Sequence, residues 1–158
     1  MNILVLCTGN SARSILLESE LNVASNGRIT AFSAGSNPSG TVHPQSITLL
    51  SALGRDMSDA RSKSWNEFEG VDAPVMDAVI TVCGSAAAET CPYWPGAPVQ
   101  SHWGVEDPAA AATEDWADAF DKAYDILSRR AAALINLPIE TLDAAMLKME
   151  LDRIGKLP

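Results

Sequence analysis

The strongest constraint on the fold lies at the start of the chain, where a buried strand leads directly into a helix. Residues 2–7 read NILVLC, an apolar run that predicts a buried strand. A helical pattern then extends from Ser14 to about Ser25, and Asn26-Gly27 ends it. A strand without a polar face needs cover on both sides of its sheet, so this start predicts an α/β domain.

The same alternation continues along the chain. Further strands are predicted at residues 28–35, 77–83 and 97–103. Further helices are predicted at residues 44–53 and 114–135, and between Leu142 and Ile154. Residues 109–113 (AAAAT) are interpreted as a loop that enters the long helix. Strands that alternate with helices predict a parallel sheet with helices on both faces.

Several residues that can carry chemistry stand where predicted strands end. They are Cys7, Ser33, Cys83 and the pair His102-Trp103. Ligands of such sheets bind beyond the carboxyl ends of the strands. We therefore expect these side chains to share one edge of the sheet.

Composition limits the class of protein. The 158 residues are 47% hydrophobic and contain no linker, which predicts one domain over residues 1–158. A net charge of −9 without a basic patch argues against nucleic acid as a partner. The start lacks the basic region of a signal peptide. No run reaches the roughly 20 apolar residues of a membrane span. Three cysteines, an odd number, do not suit a secreted disulfide framework. We expect a cytoplasmic monomer.

The loop between the first strand and the first helix has the composition of an anion-binding loop. Its members after Cys7 are Thr8, Gly9, Asn10, Ser11, Ala12, Arg13 and Ser14. Backbone N–H groups at a helix start bind anions, and Arg13 can hold an oxyanion through two hydrogen bonds. Gly9 is expected to give the backbone freedom, and Asn10 to tolerate left-handed geometry. These residues predict a site for a tetrahedral oxyanion.

Cys7 is the candidate nucleophile of this loop. The positive field of the loop is expected to lower the pKa of Cys7 from about 8.5 into the range of about 3.5–7.5. Ser14 is expected to donate a hydrogen bond to its sulfur. The competing interpretation is a buried cysteine near an unrelated arginine. The glycine, the serine after Arg13 and the flanking strand and helix favour the nucleophile.

The sequence C-T-G-N-S-A-R-S at residues 7–14 resembles the low-molecular-weight protein tyrosine phosphatase superfamily, and more closely the arsenate reductases that share its fold. The resemblance continues through FSAG (32–35), ITVC (80–83), CPYWPG (91–96) and HWGVEDPA (102–109). It implies a three-layer α/β/α fold with a four-stranded parallel sheet, and a cysteine nucleophile in the anion loop. It also implies a general acid in an Asp-Pro pair, which Asp107-Pro108 matches.

An acid is chemically necessary, because attack on a tetrahedral oxyanion expels an oxygen that needs a proton. Asp107 alone would be an ordinary loop aspartate. The matched segment around it favours the acid role.

The two functions in this superfamily differ in their need for electrons. A phosphatase needs one cysteine, whereas reduction of arsenate to arsenite takes two electrons and a second sulfur. Cys83 and Cys91 are available, and similar reductases carry a cysteine pair in this region. The alternatives are inert core cysteines or a zinc site, and the latter is disfavoured because only two histidines accompany three cysteines in no recognisable ligand pattern.

A second feature separates the two functions. Phosphatases of this fold tend to carry aromatic residues after the Asp-Pro pair, where this chain has three alanines at residues 109–111. We therefore favour an arsenate reductase involved in arsenic resistance. A low-molecular-weight tyrosine phosphatase is the alternative, and an oxyanion-binding module without catalysis is a third possibility.

The resemblance implies a disulfide relay. Cys7 attacks arsenic while Asp107 protonates the departing oxygen, and Cys83 then attacks the Cys7 sulfur and releases arsenite. Cys91 attacks Cys83, and an external thiol system resets the Cys83–Cys91 pair. The resemblance implies either thioredoxin or glutathione with glutaredoxin as this reductant. No tightly bound cofactor is expected.

The resemblance also implies support behind the loop. In similar reductases an asparagine, a glutamate and a serine help to hold a potassium ion, and Asn10, Glu18 and Ser33 match them. Lys63 stands where a fourth, acidic ligand is expected. Its ammonium is predicted to replace the metal and to connect Glu18 with Asn10, with no metal bound. The alternative is a surface lysine.

Overall fold

The structure, a computed structural model, describes residues 1–84, 86, 94, 96 and 98–158. Its centre is a sheet of four parallel strands in the order β2-β1-β3-β4. The strands are β1 (Asn2–Leu6), β2 (Thr30–Ala34), β3 (Ala78–Thr81) and β4 (Val99–His102). The predicted parallel sheet is confirmed, and each strand is shorter than the apolar run that predicted it.

Helices connect and cover the strands. The described helices are α1 (Arg13–Ala24), α2 (Pro44–Ala52), α3 (Trp116–Ile135) and α4 (Ala144–Ile154). Residues 109–113 do not form the plain loop that was predicted, because 3₁₀ turns occupy Pro108–Ala110 and Thr113–Asp115. Asp107 starts the first of these turns by accepting a hydrogen bond from the N–H of Ala109 at 3.1 Å. None of the described helices is long and apolar enough to cross a membrane.

The two faces of the sheet have separate cores, because successive strand residues point to opposite sides. Val5 belongs to the larger core, which contains the buried side chains of all the described helices, such as Leu127. Leu6 belongs to the smaller core, together with Phe68 and Trp94. The described cover of this second face includes the 3₁₀ turn Trp65–Phe68. The sheet is therefore covered on both faces, as the apolar strands predicted.

Candidate active site

The segment after β1 lies at the carboxyl edge of the sheet, where the sequence predicts the anion loop. The N–H of Cys7 donates to the carbonyl of Ala34 at 3.2 Å, which fixes the start of the loop beside β2. Asn10 has a φ of 42°, so it adopts the left-handed geometry that was expected of it. Ala12 ends the loop, and α1 begins at Arg13.

The backbone freedom predicted for Gly9 is needed at another glycine. A Cβ on Gly9 would have no atom within 4 Å, and Gly9 has no left-handed φ. A Cβ on Gly35 would lie 2.4 Å from the carbonyl oxygen of Thr8 and 2.8 Å from that of Cys7. Only glycine fits at position 35, because the loop passes directly against its backbone.

The carbonyl groups of the loop are bound by residues that surround it. The donors are the N–H groups of Asn37 to Thr8, Ser39 to Gly9 and His43 to Ser11, each at 3.0 Å, and the hydroxyls of Ser62 to Gly9 and Ser46 to Ser11, each at 3.1 Å. By contrast, the N–H groups of Gly9, Ser11 and Ala12 have no acceptor in the described part of the chain. A loop with bound carbonyls and free N–H groups at a helix start suits an anion.

Arg13 joins this loop to the segment that carries Asp107. Its Nη1 donates to the carbonyl of Val105 at 2.9 Å, and its Nη2 pairs with Oδ2 of Asp107 at 2.9 Å. Its Nε is buried and has no hydrogen-bond partner among the described residues. The Asp107 side chain is 45% exposed, so solvent reaches the carboxylate beside the guanidinium. The two residues predicted to bind the oxyanion and to supply a proton are therefore in contact.

The thiols of Cys7 and Cys83 lie close enough for each to shift the pKa of the other. Cys83 Sγ accepts hydrogen bonds from the N–H groups of Thr8 and Ala86, each at 3.4 Å, and lies 3.6 Å from the Thr8 hydroxyl. Both thiols are buried, with 6% of Cys7 and 4% of Cys83 exposed. The structure thus brings together the two cysteines that follow β1 and β3.

The protonation of this pair differs from the sequence prediction. The hydrogen bond from Cys7, together with those from Thr8 and Ala86, lowers the pKa of Cys83 to about 5, although burial opposes the shift. The same hydrogen bond and burial raise the pKa of Cys7, and the charge of Arg13 opposes them less strongly. The predicted lowering for Cys7 is therefore wrong for this arrangement, because the donors converge on Cys83 and the first proton leaves from there.

Ser14 does not make the predicted contact with Cys7. Its Oγ accepts a hydrogen bond from Nδ2 of Asn10 at 3.0 Å, and none of its hydrogen bonds reaches the Cys7 sulfur. Asn10 Nδ2 also donates to Ser33 Oγ at 2.9 Å. Ser14 therefore belongs to the polar network behind the loop.

This network includes the residues predicted to support the loop. Ser33 donates to Glu18 through its N–H at 3.1 Å and through its hydroxyl at 2.5 Å. Lys63 Nζ lies 3.8 Å from Glu18 Oε1 and 3.5 Å from Ser33 Oγ. Lys63 contacts Asn10 through its backbone N–H, which donates to Oδ1 at 2.8 Å, and not through its ammonium. Burial lowers the pKa of Lys63, and Glu18 opposes this shift.

The remaining predicted features are Cys91, the CPYWPG segment and His102. Cys91 lies outside the described residues, as does most of the CPYWPG segment. Trp94 in that segment is described and is 2% exposed, and its ring packs edge-on against Trp65 with centroids 6.3 Å apart. His102 is exposed, and its Nδ1 lies 2.8 Å from Thr81 Oγ1.

Sequence reasoning missed the residues that hold the outside of the loop. Asn37, Ser39 and His43 lie in the stretch 37–44, whose sequence indicates only turns, and Ser46 lies in the helix predicted from residue 44. Their donors are mainly backbone N–H groups, which leave little trace in residue identity. The glycine of FSAG was the one available signal, since a glycine that ends a strand beside a loop indicates close backbone approach.

Comparison with known proteins identifies the family of this chain. The family model described as low molecular weight phosphotyrosine protein phosphatase matches residues 2–148. The chain belongs to this family. The resemblance stated from residues 7–14 and the later motifs is confirmed.

Individual relatives within this family are arsenate reductases. The chain is 33% identical over 131 residues to an arsenate reductase from Halalkalibacterium halodurans, a match that covers 79% of this chain and 88% of that protein. A solved arsenate reductase in a phosphate-binding state is 26% identical with a TM-score of 0.65, covering 85% of this chain and 95% of that one. A thioredoxin-dependent arsenate reductase from Corynebacterium glutamicum is 25% identical with a TM-score of 0.55, covering 83% and 61% respectively.

Proposed function

We propose that this protein is an arsenate reductase that converts arsenate to arsenite through Cys7 and an intramolecular disulfide. The observation that carries the proposal is that Cys83 packs against the Cys7 loop, where its sulfur accepts a hydrogen bond from the Thr8 N–H at 3.4 Å. The N–H groups of Gly9, Ser11 and Ala12 beside it have no acceptor among the described residues. A phosphatase has no chemical need for a second sulfur at this position. The arsenate reductases among its relatives support the same conclusion.

The first step forms a bond between sulfur and arsenic. Arsenate binds to the N–H groups of residues 8–14 and to Arg13, which leaves its contact with Asp107. The proton of Cys7 moves to Cys83 along their hydrogen bond, and the Cys7 thiolate attacks arsenic. Asp107 protonates the departing oxygen, which leaves as water. Arsenic is still in its higher oxidation state.

The second step transfers the electrons. Cys83 attacks the Cys7 sulfur and forms a disulfide while the sulfur–arsenic bond breaks. The electron pair of that bond stays on arsenic, which leaves as arsenite, and the Cys83 proton ends on an arsenite oxygen. Two electrons have then passed from the two thiols to arsenic. The N–H and hydroxyl of Thr8 favour this step because they stabilise the Cys83 thiolate.

The enzyme must then be reduced by a thiol. We propose that Cys91 attacks Cys83, frees Cys7 and leaves a Cys83–Cys91 disulfide for an external reductant. Thioredoxin and glutathione with glutaredoxin are the candidate reductants, and the thioredoxin-dependent relative favours the former. Three thiols that must return to the reduced state suit the cytoplasm. The chain would act as one domain over residues 1–158, without a tightly bound cofactor.

We assign the network behind the loop to support. Asn10, Ser14 and Ser33 form its hydrogen bonds to the loop, and Glu18 with Lys63 supplies a partly buried pair of charges. An ammonium at this position would serve in place of a bound cation.

Phosphate ester hydrolysis remains the second candidate, because the family model carries that activity in its description. Cys7, Arg13 and Asp107 would suffice for it. A cleft of about 720 Å³ runs beside Asp107, and the small side chains of Ala110 and Ala111 line it. Among the described residues, no aromatic side chain lines it as expected after the Asp-Pro pair in a tyrosine phosphatase, which disfavours a phosphotyrosine substrate.

The test compares two assays and one trapped state. Arsenate reduction with thioredoxin, or with glutathione and glutaredoxin, should exceed hydrolysis of a chromogenic phosphate ester. The variant Cys91→Ser should turn over once and stop with Cys7 and Cys83 joined, which mass spectrometry of the digested protein detects. Faster ester hydrolysis would favour the phosphatase, and inactivity in both assays would favour a binding module.

A further inference from the structure

Arg130 of α3 is a buried cation that the proposed reaction does not use. It is 6% exposed, and it forms no ion pair with a carboxylate in the described part of the chain. Its guanidinium donates only to backbone carbonyls. The bonds run from Nη1 to Trp103 at 2.9 Å and Gly104 at 3.3 Å, and from Nε and Nη2 to Leu157 at 2.9 and 2.7 Å.

This arrangement is costly, so it needs a reason. Removing a charge from water is unfavourable unless hydrogen bonds replace its hydration. Burial lowers the pKa of Arg130, and the neighbouring charge of Arg129 adds to that shift. The five donors of a guanidinium lie in a fixed plane and can bind carbonyls on two of its sides, whereas the three donors of a lysine converge on one nitrogen. The residue therefore fixes the positions of the carbonyl groups that it binds.

Two of those carbonyls begin the segment that carries Asp107. Arg130 binds residues 103 and 104, and Arg13 binds the next carbonyl, that of Val105, and the carboxylate of Asp107. Two guanidinium groups from different helices thus hold consecutive parts of one segment. Arg13 reaches Asp107 in this geometry only while the segment keeps its path.

The other side of the segment is bound to the strand that leads to Cys83. The N–H of Trp103 donates to Thr81 at 2.8 Å, and the N–H of Val105 donates to Val82 at 3.2 Å. These bonds attach the N–H groups of the segment to the end of β3. Its carbonyl groups are bound by Arg13 and Arg130 instead. A Cβ on Gly104 would lie 2.4 Å from Nε2 of His102, so a larger residue there would displace the His102 ring.

We propose that Arg130 is a positioning residue that holds residues 103–107 so that the Asp107 carboxyl stays aligned with Arg13 and the oxyanion loop. This inference rests on the proposed function, in which Asp107 is the acid. Small displacements of a catalytic group lower rates strongly, so the contribution of Arg130 should be visible in turnover.

The experiment is a double-mutant cycle between Arg130→Lys and Asp107→Asn. Arg129→Lys is the matched control, because Arg129 is the adjacent residue on α3 and pairs with Asp125 at the surface. Arsenate reduction at saturating arsenate should fall about tenfold in Arg130→Lys, which is less than the roughly 10²–10⁴-fold that a general acid contributes, and should not change in Arg129→Lys. In the Asp107→Asn background, Arg130→Lys should have less than a twofold further effect, because the group that it aligns is already lost.

Other outcomes separate the possible errors. Independent effects of the two substitutions, or equal rates for Arg130→Lys and Arg129→Lys, would overturn the positioning role while the acid role stands. An unchanged rate in Asp107→Asn alone would overturn both the acid role of Asp107 and the positioning role of Arg130. If Arg130→Lys does not fold, as judged by circular dichroism, Arg130→Gln replaces it in the cycle. Failure of both to fold would assign Arg130 to the stability of the fold and would overturn the inference.

Discussion

Cys7 and Cys83 are almost equally buried neighbours, but their surroundings favour opposite protonation states. Cys7 leaves β1 within a loop whose carbonyls are bound from outside. Cys83 lies opposite and receives the N–H of Thr8, a donor predicted to bind the oxyanion. These surroundings favour a negative charge on the sulfur that acts second. The difference indicates that oxyanion binding and formation of the Cys7 thiolate are coupled through Thr8 and the proton shared by the two sulfurs.

The largest effect is expected from removal of the first sulfur. Cys7→Ser should lower both arsenate reduction and phosphate ester hydrolysis by at least about 10³-fold, because both reactions begin with this nucleophile. Turnover assays with each substrate measure the loss, and an unchanged melting temperature shows that the fold is retained. Substantial ester hydrolysis by this variant would mean that another group is the nucleophile.

Removal of the second sulfur should separate the two activities. Cys83→Ser should abolish multiple-turnover reduction of arsenate but preserve hydrolysis of a phosphate ester, because water can still attack a phosphorylated Cys7. The two assays on the same preparation check this, with the unaltered protein as control. Normal reduction by this variant together with normal reduction by Cys91→Ser would contradict the relay.

The sequence was sufficient for the sheet and for the location of the loop, because both depend on apolar runs and on residue types at a strand end. It correctly expected the left-handed Asn10 and the closeness of Cys7 to the segment after β3. The sequence did not predict features that depend on the course of the backbone in the folded chain. The close approach lies at Gly35 and not at Gly9, since it depends on how the loop crosses β2.

The protonation of the sulfurs was mispredicted for a similar reason. Local sequence assigns the positive loop to Cys7, which belongs to it. The N–H of Thr8 is instead used by a sulfur 75 residues away, and only the packed structure brings them together. The role of Arg130 could not be predicted from the sequence either, because its partners are backbone carbonyl groups, which every residue has.

A smaller effect concerns binding of an oxyanion to the resting protein. Cys83→Ala should bind sulfate about tenfold more tightly at pH 7, because a hydrogen bond to a charged group contributes about 1.5 kcal/mol and the Cys83 thiolate competes for the Thr8 N–H. Isothermal titration calorimetry measures the affinity. The same comparison, with and without Cys83→Ala, in a protein that already carries Cys7→Ser controls for titration of the Cys7 thiol.

The pH dependence of that difference has a defined sign. The pKa of Cys83 is lowered to about 5, so the competing thiolate is present above this pH and is lost as the pH falls through it. Sulfate keeps its charge over this range, and the affinities of the two proteins should therefore converge below about pH 5. A tenfold difference that persists at pH 4 would show that Cys83 hinders the anion by its volume and not by its charge.

The smallest effect is expected behind the loop, where Lys63 supplies the positive charge beside Glu18. The Lys63 side chain is 10% exposed and its ammonium lies 3.8 Å from the Glu18 carboxylate, as the proposed role in place of a cation requires. Potassium should raise the melting temperature no more than sodium does, within about 1 °C, which corresponds to less than about 0.5 kcal/mol for a domain of this size.

Lys63→Ala leaves the Glu18 charge without this partner, so the melting temperature of this variant should gain a potassium-specific increase. Thermal unfolding of both proteins in matched chloride salts checks the prediction, and Arg61→Ala serves as control because Arg61 pairs with Glu67 at the surface. A clear potassium-specific increase in the unaltered protein would contradict the role of Lys63 as a built-in cation, whereas its absence from both Lys63 proteins would show that Glu18 is sufficiently stabilised by Ser33 alone.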